Sequence, residues 1–266
     1  MAQDYAAELA FAGELAAESD EIAMRWFARD PDVATKQDGT LVTVADREIE
    51  RTLRRRIHER FPSDAVLGEE AGLEPGGSAR VWVLDPIDGT NNYAWGIPIF
   101  GTLIGLRDGS RGVVGVASAP ALRERYEAAA GLGARMNGEP IQVSSAATVE
   151  ESRLCFASWG GWVHAGLADR WASVLARCRR SRAFGDFWGH MLVARGAADA
   201  MAEPELRVWD VVAMQAIVEE AGGRLTNLTG DPWGRVPTAA LYEVREGCLT
   251  TNGVLHDALL RELSGA

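Results

Sequence analysis

Three short segments carry side chains that could do chemistry together. In Trp82-Val-Leu-Asp85-Pro-Ile-Asp88-Gly-Thr90 an apolar run ends in one carboxylate, Pro86 turns the chain, and a second carboxylate follows three residues on. Gly89 then allows close backbone approach, with the Thr90 hydroxyl beside it. Asp85 and Asp88, with the Ile87 carbonyl between them, are hard oxygen ligands of the kind Mg²⁺ takes. The bland alternative is a turn with two solvated aspartates. Upstream, Gly68-Glu69-Glu70 closes the apolar run Ala65-Val-Leu67, and downstream Trp209-Asp210 opens a helical stretch. Taken singly, both are ordinary: an exposed turn, and an aspartate favoured by a helix dipole. Thr43 and Asp46 have the spacing of a capping box, which does not exclude a second role for Asp46.

The elements that must position these groups show in the pattern. An Ala-rich helix with Leu9, Phe11, Leu15, Ile22 and Trp26 ends near Asp30-Pro31, and the polar loop from Lys36 to Thr43 follows. Ile49, Leu53 and Ile57 mark a second helix that stops before Phe61-Pro62. Val81 to Leu84 reads as a buried strand delivering Asp85, and strands Gly101–Leu106 and Val113–Ala119 flank an Arg107–Ser110 hairpin turn. Gly131 to Gly138 reads as a turn region and Ile141 to Val143 as a strand. Helices follow at Leu167–Cys178, Phe187–Arg195 and Trp209–Ala221, the last closed by Gly222-Gly223. The reading is mixed α and β: one unit, 1–266, in two lobes, 1–147 with the metal-type acids and 148–266 with the substrate-selecting residues.

Composition narrows the function. Lys and Arg number 27 against 38 Asp and Glu, a net charge of −11 with no run of cations fit for a phosphate backbone, so nucleic acid is not the partner. Arg54-Arg55-Arg56, beside Glu50 and Glu59, reads as a solvated helix face. No apolar run approaches the ~20 residues of a membrane span, and the start of the chain lacks the basic and apolar regions of a signal peptide. Three scattered cysteines suggest reduced thiols and a cytoplasmic protein. The four histidines have no zinc spacing, Ser158 has no nucleophile elbow, and no P-loop or dinucleotide fingerprint occurs.

In this order and spacing, Lys36…Asp38…Thr43…Asp46, Gly68-Glu69-Glu70, Asp85-Pro-Ile-Asp88-Gly-Thr90 and Trp209-Asp210…Glu220-Ala-Gly-Gly223 resemble the inositol-monophosphatase superfamily over nearly the whole chain. The resemblance implies a layered αβαβα sandwich and a Mg²⁺-dependent, often lithium-sensitive phosphomonoesterase that commonly forms a homodimer. It implies two or three Mg²⁺ per site: Glu69 and Asp85 with the Ile87 carbonyl for one, Asp85, Asp88 and Asp210 for a second, and Glu69 again for a third. Asp46 and Thr90 match the pair that orients the attacking water, while the Gly89 and Thr90 N–H groups match a phosphate cradle. Asp88, Asn91 and Asp210 also border the substrate in this reading, although Asn91-Asn92-Tyr93 departs from the usual residues after Thr90.

Substrate choice falls on the second half. Gly185-Asp186-Phe187 places an acid where inositol phosphatases usually carry Ser or Thr, and Glu203 matches a position that contacts the leaving group. Two acids suit a cationic leaving group such as L-histidinol. Ser118-Ala-Pro-Ala-Leu122, Phe156-Ala-Ser-Trp-Gly-Gly-Trp162, Ala202-Glu-Pro204 and Thr251-Asn-Gly-Val-Leu-His256 resemble the actinobacterial histidinol-phosphate phosphatases of the superfamily. The plainer reading of Asp186 is a helix N-cap, a role that can coexist with the first; an Asp186 pointing away from the pocket would favour inositol 1-phosphate as the substrate. A catalytically silent metal-binding partner protein is a third reading, opposed by the intact set Asp46, Glu69, Asp85, Asp88, Thr90 and Asp210. Of the nine tryptophans, Trp82 and Trp171 read as core; Trp159, Trp162 and Trp188 could wall an imidazole but read more simply as packing.

Overall fold

The structure, a computed structural model, describes residues 4–27, 33–35, 41–233 and 238–264; Lys36, Asp38 and the expected helix end at Asp30-Pro31 lie outside them. The chain begins with α1 (Ala6–Phe27), a small antiparallel pair β1 (Val33–Thr35) and β2 (Leu41–Thr43), and α2 (Val44–Arg60). The start of α2 is the expected capping box. The Thr43 hydroxyl accepts from the Ala45 and Asp46 N–H groups, and the Asp46 carboxylate accepts from the Thr43 N–H at 2.8 Å.

Strands β3 (Ala65–Gly68), β4 (Gly72–Glu74) and β5 (Arg80–Asp88) come next, then the short helix α3 (Thr90–Ala94). Strands β6 (Gly101–Asp108), β7 (Arg111–Ala119), β8 (Glu124–Ala129), β9 (Gly133–Met136) and β10 (Glu139–Pro140) follow. Together β3 to β10 form an eight-stranded sheet in the order β10-β9-β8-β7-β6-β5-β3-β4, with β3 and β5 its one parallel pair. The second half contains β11 (Arg153–Phe156), α4 (Trp159–His164), α5 (Ala168–Arg177), β12 (Arg180–Arg182) and α6 (Asp186–Ala194). It ends with β13 (Ala200–Arg207), α7 (Val208–Glu220), β14 (Arg224–Thr226), a 3-10 turn at Thr238–Glu243, β15 (Arg245–Thr251) and α8 (His256–Ser264). Its five strands are ordered β12-β11-β13-β15-β14.

Three buried clusters stack these elements into the αβαβα sandwich. Leu15, Ile49, Leu53 and Ile57 of α1 and α2 cover one face of the large sheet at Trp82, Leu84 and Val116. Phe187 and Met191 of α6, with Val212 and Ile217 of α7, fill the space between the sheets, against Val83 and Leu103 on one side and Leu225 and Cys248 on the other. On the outer face of the small sheet, Trp162, Trp171 and Leu259 from α4, α5 and α8 pack on Leu154 and Leu249. Because α7 lies between two sheets it is apolar nearly all round, with ten of its residues buried. Its end is a Schellman motif: the Gly222 and Gly223 N–H groups donate to Glu219 and Val218, with Gly222 at φ +87°.

Several local expectations change. Strand β5 does not stop at Asp85 but runs through Pro86 to Asp88, its pairing with β6 slipping between the two aspartates. Proline cannot donate to a ladder, so it sits in a bulge; its carbonyl takes the Thr102 hydroxyl at 2.8 Å. The Gly131–Gly138 stretch contains strand β9. Ile141 to Val143 pairs only singly, through N–H bonds to Ala134 and Ala221, and is no strand. Of the arginine triplet only Arg55 is exposed, 3.9 Å from Glu59: Arg54 is buried against Glu50, and Arg56 is paired with Glu18. Trp162 stacks on Trp171 in the core, Trp188 donates to Glu124, and Trp159 is exposed against Phe156. All three cysteines are free, and among the described residues no helix is long and apolar enough to cross a membrane.

Helix α7 rests directly on the backbone of the large sheet. A Cβ at Gly105 would lie 2.7 Å from Val212 Cγ1, and one at Gly115 would collide with the Ala213 carbonyl. Gly115→Ala is therefore expected to destabilise the fold by about 1–3 kcal/mol. Gly13→Ala in α1, where a Cβ meets nothing within 4 Å, is expected to stabilise it by about 0.5–1 kcal/mol. Denaturant melts of the two variants check this; equal shifts would contradict the close approach of α7.

Candidate active site

A cavity of about 740 Å³ opens where the end of β5 meets the first turns of α3, α6 and α7. Of the residues expected in the site, Glu69, Asp85, Ile87, Asp88, Gly89, Thr90, Asn91, Asp186 and Asp210 line it. Asp85, Asp88 and Asp210 bring carboxylate oxygens within 4.8 Å of one another. Asp46 and Glu203 are not on the cavity wall: both are buried one layer behind it.

Each acid is held by backbone. The bulge in β5 presents Asp85 and Asp88 on either side of the Ile87 carbonyl, which accepts the Thr90 hydroxyl at 2.8 Å. Gly89, at φ +80°, makes the turn, and a Cβ there would sit 3.0 Å from the Ile99 carbonyl. Asp210, in the first turn of α7, accepts the Arg207 N–H at 2.7 Å. The Glu69-Glu70 turn is clamped from α2, where the Glu50 carboxylate accepts the N–H groups of Glu70 at 2.7 Å and Ala71 at 2.9 Å. Asp88 does double duty, accepting the Phe187 N–H at 2.7 Å and so capping α6.

That bond bears on the plainer reading of Asp186. The helix start is capped by Asp88 from across the chain, and the Asp186 side chain makes no capping bond. Asp186 instead has a left-handed backbone, φ +56°, and its carboxylate takes the Asn92 amide at 3.1 Å. The Glu203 carboxylate lies behind it, near the Asp186 N–H. Sequence reasoning missed Asn92, and also Trp95, Arg207, Tyr242 and Arg245 on the cavity wall. No local pattern marks these residues, because only the fold brings them to one place.

The electrostatics follow from crowding. Burial first, then neighbouring carboxylates, raises Asp85, Asp88 and Asp210 far above the usual range. Burial pushes Asp46 up to about 7, Asp186 to about 6 and Glu203 to about 8. Asp85 Oδ1 and Asp46 Oδ1 are buried without a hydrogen-bond partner. Unpartnered carboxylate oxygens among mutually repelling acids are the donor set of a hard divalent cation, so the residues present fit one.

Fold and site together define a class, the phosphoric monoester hydrolases that work with metal ions held by clustered carboxylates. The chain belongs to the inositol monophosphatase family, whose model matches residues 4–266. It is 41% identical to a histidinol-phosphatase of Mycobacterium tuberculosis over 97% of this chain and 98% of that one. A histidinol-phosphatase of Streptomyces coelicolor is 40% identical, covering 98% of both chains. Among solved structures, an IMPase of Thermotoga maritima superposes with a TM-score of 0.84 at 29% identity, covering 97% of both chains.

The raised pKa values set a pH dependence. Unfolded Asp and Glu titrate near ~4, so with divalent cations removed the folded chain binds more protons than the unfolded one. The stability this confers is complete below about pH 4 and is lost as pH rises through the folded values, about 6 to 8. In chelator the melting temperature should therefore fall between pH 5 and pH 8, and Mg²⁺ should restore it at pH 8. Asp85→Asn should melt above the parent in chelator and gain less from Mg²⁺. A chelated protein that gains stability over this range would contradict the crowding.

Proposed function

We propose that the chain is a Mg²⁺-dependent histidinol-phosphatase, hydrolysing L-histidinol phosphate to L-histidinol and phosphate. The observation that carries the substrate is Asp186, a non-glycine residue in the left-handed region whose carboxylate lines the cavity and does not cap its helix. Asp tolerates that region better than most residues, but it remains an uncommon conformation for a side chain. An acid held there, with the Glu203 carboxyl buried behind it, favours a leaving group that carries an ammonium and a titratable imidazole. The histidinol-phosphatase relatives support the same reading.

In this proposal Glu69, Asp85 and the Ile87 carbonyl hold one Mg²⁺, Asp85, Asp88 and Asp210 a second, and Glu69 contributes to a third. Bound cations would neutralise charge on the phosphate and acidify a water for attack. The protein's own groups do the rest. The N–H groups of Gly89 and Thr90 are placed to donate to phosphate oxygens. The Thr90 hydroxyl, having given its proton to Ile87, can only accept from the attacking water. Asp46, buried just behind the wall with one oxygen spent on Thr43 and the other unpartnered, would complete that water's orientation where the water reaches it. Asp186 faces the leaving group, and Asn91 borders it. The same reading carries the two-lobed unit divided near residue 147 and a cytoplasmic homodimer, in keeping with the three free thiols.

Phosphate release with Mg²⁺ from L-histidinol phosphate, inositol 1-phosphate, fructose 1,6-bisphosphate and adenosine 3′,5′-bisphosphate tests the substrate. Preference for any ester but the first defeats the specific claim. Asp88→Asn should abolish turnover while the protein stays folded, because the amide oxygen can still accept the Phe187 N–H; near-parental rates would remove Asp88 from the site. Asp186→Gly should raise the melting temperature, through relief of the left-handed backbone and of a buried charge, while raising KM for L-histidinol phosphate about tenfold. Loss of stability with unchanged KM would leave Asp186 a purely structural part.

A further inference from the structure

His190 lies on α6 one turn after Asp186, is wholly buried, and does not line the cavity. One edge of its ring is fixed: Nδ1 is 2.7 Å from the Thr250 hydroxyl on β15. The other edge faces the site, with Nε2 3.5 Å from Glu203 Oε1. Neither of those two facing atoms has a hydrogen-bond partner, and each is the polar group that faces the other. A buried polar atom left alone costs ~1–3 kcal/mol, so each is the partner the other requires. The contact serves in either proton arrangement, ring N–H to carboxylate or carboxyl O–H to ring, because the Thr250 hydroxyl can rotate to match.

The Glu203 carboxylate in turn lies close enough to the Asp186 N–H for that dipole to favour its charged form, and Asp186 is the residue whose backbone is left-handed. We infer that His190 is a positioning residue for the leaving-group end of the cavity: it fixes Glu203, which fixes the Asp186 backbone, which aims the Asp186 carboxylate at the substrate. The inference rests on the proposal that Asp186 meets a cationic leaving group. A merely space-filling imidazole would have no reason to align its second nitrogen with the one free oxygen behind Asp186.

The test compares His190→Asn with His190→Gln in the Mg²⁺-loaded enzyme. The Asn amide reaches the place of Nδ1 and loses Glu203; the Gln amide reaches the place of Nε2 and keeps it. Asn is expected to raise KM for L-histidinol phosphate about five- to tenfold, with kcat within about twofold. Inhibition by inorganic phosphate, which reads only the metal end, should not change. Gln should bring KM back to within about twofold of the parent. Equal effects of Asn and Gln, or phosphate inhibition weakening in step with KM, would overturn the inference. Should Asn fail to fold in a melting curve, Thr250→Val releases the other edge of the ring and is expected to raise KM in the same sense. An unchanged KM there overturns the inference equally. A parent enzyme that does not turn over L-histidinol phosphate defeats the substrate reading and this one with it, whereas turnover with KM indifferent to Asn defeats this one alone.

Discussion

Crowding of buried carboxylates is the constraint to which the rest of the molecule answers. Asp46, Glu69, Asp85, Asp88, Asp186, Glu203 and Asp210 act on one another's charge around one cavity. Backbone N–H groups at helix starts are what hold such a set in place. Asp46 and Asp210 use the same device, each in the first turn of its helix and reaching back to the N–H three residues earlier. Asp88 takes the first free N–H of α6 from a different strand. Three helices thus point their positive ends at the acids, which offsets repulsion without neutralising it. The remaining deficit is what a divalent cation is suited to supply, and metal dependence belongs to the family as a whole.

That arrangement explains which parts were legible in the sequence. The capping box at Thr43 and Asp46, the apolar spacing of Ile49, Leu53 and Ile57, and the Gly222-Gly223 stop depend on neighbours a few residues away. The acid set was visible because its members fall in short segments with recognisable spacing. What could not be read depends on distant partners. The Asn92–Asp186 bond spans 94 positions and the Asp88–Phe187 bond 99. Without the second, Asp186 looks like an N-cap. Pro86 looked like a strand end because its missing donor disrupts a ladder, yet a bulge accommodates it. Glu203 belonged in the right neighbourhood, but its depth, behind Asp186 and against His190, is a property of packing alone.

The net charge of −11 can now be divided by place. At one end of the cavity Asp85, Asp88 and Asp210 converge closely enough to share a cation, and a cation there reverses the sign that a phosphate meets. At the other end Asp186, with Glu203 buried behind it, lines a region where the same proposal puts positive charge on the substrate. Under that proposal opposite demands are met within one acidic cavity by spacing: acids that converge would bind metal, and an acid set apart from them would attract a cationic group.

The two ends are nevertheless one mechanical unit, because the Asp88 carboxylate belongs to both. One of its oxygens caps α6, the helix that carries Asp186 and His190, while Asp88 also stands within reach of Asp85 and Asp210. Movement of α6 to suit a differently shaped leaving group would pull on an N–H bond of 2.7 Å and hence on the metal cluster. Under the proposed function, leaving-group selection would consequently be easier to change through side chains that hang from α6, such as Asp186, than through displacement of the helix itself. The cap from Asp88 leaves the Asp186 carboxylate free of the helix end, with the Asn92 amide as its partner on the cavity wall.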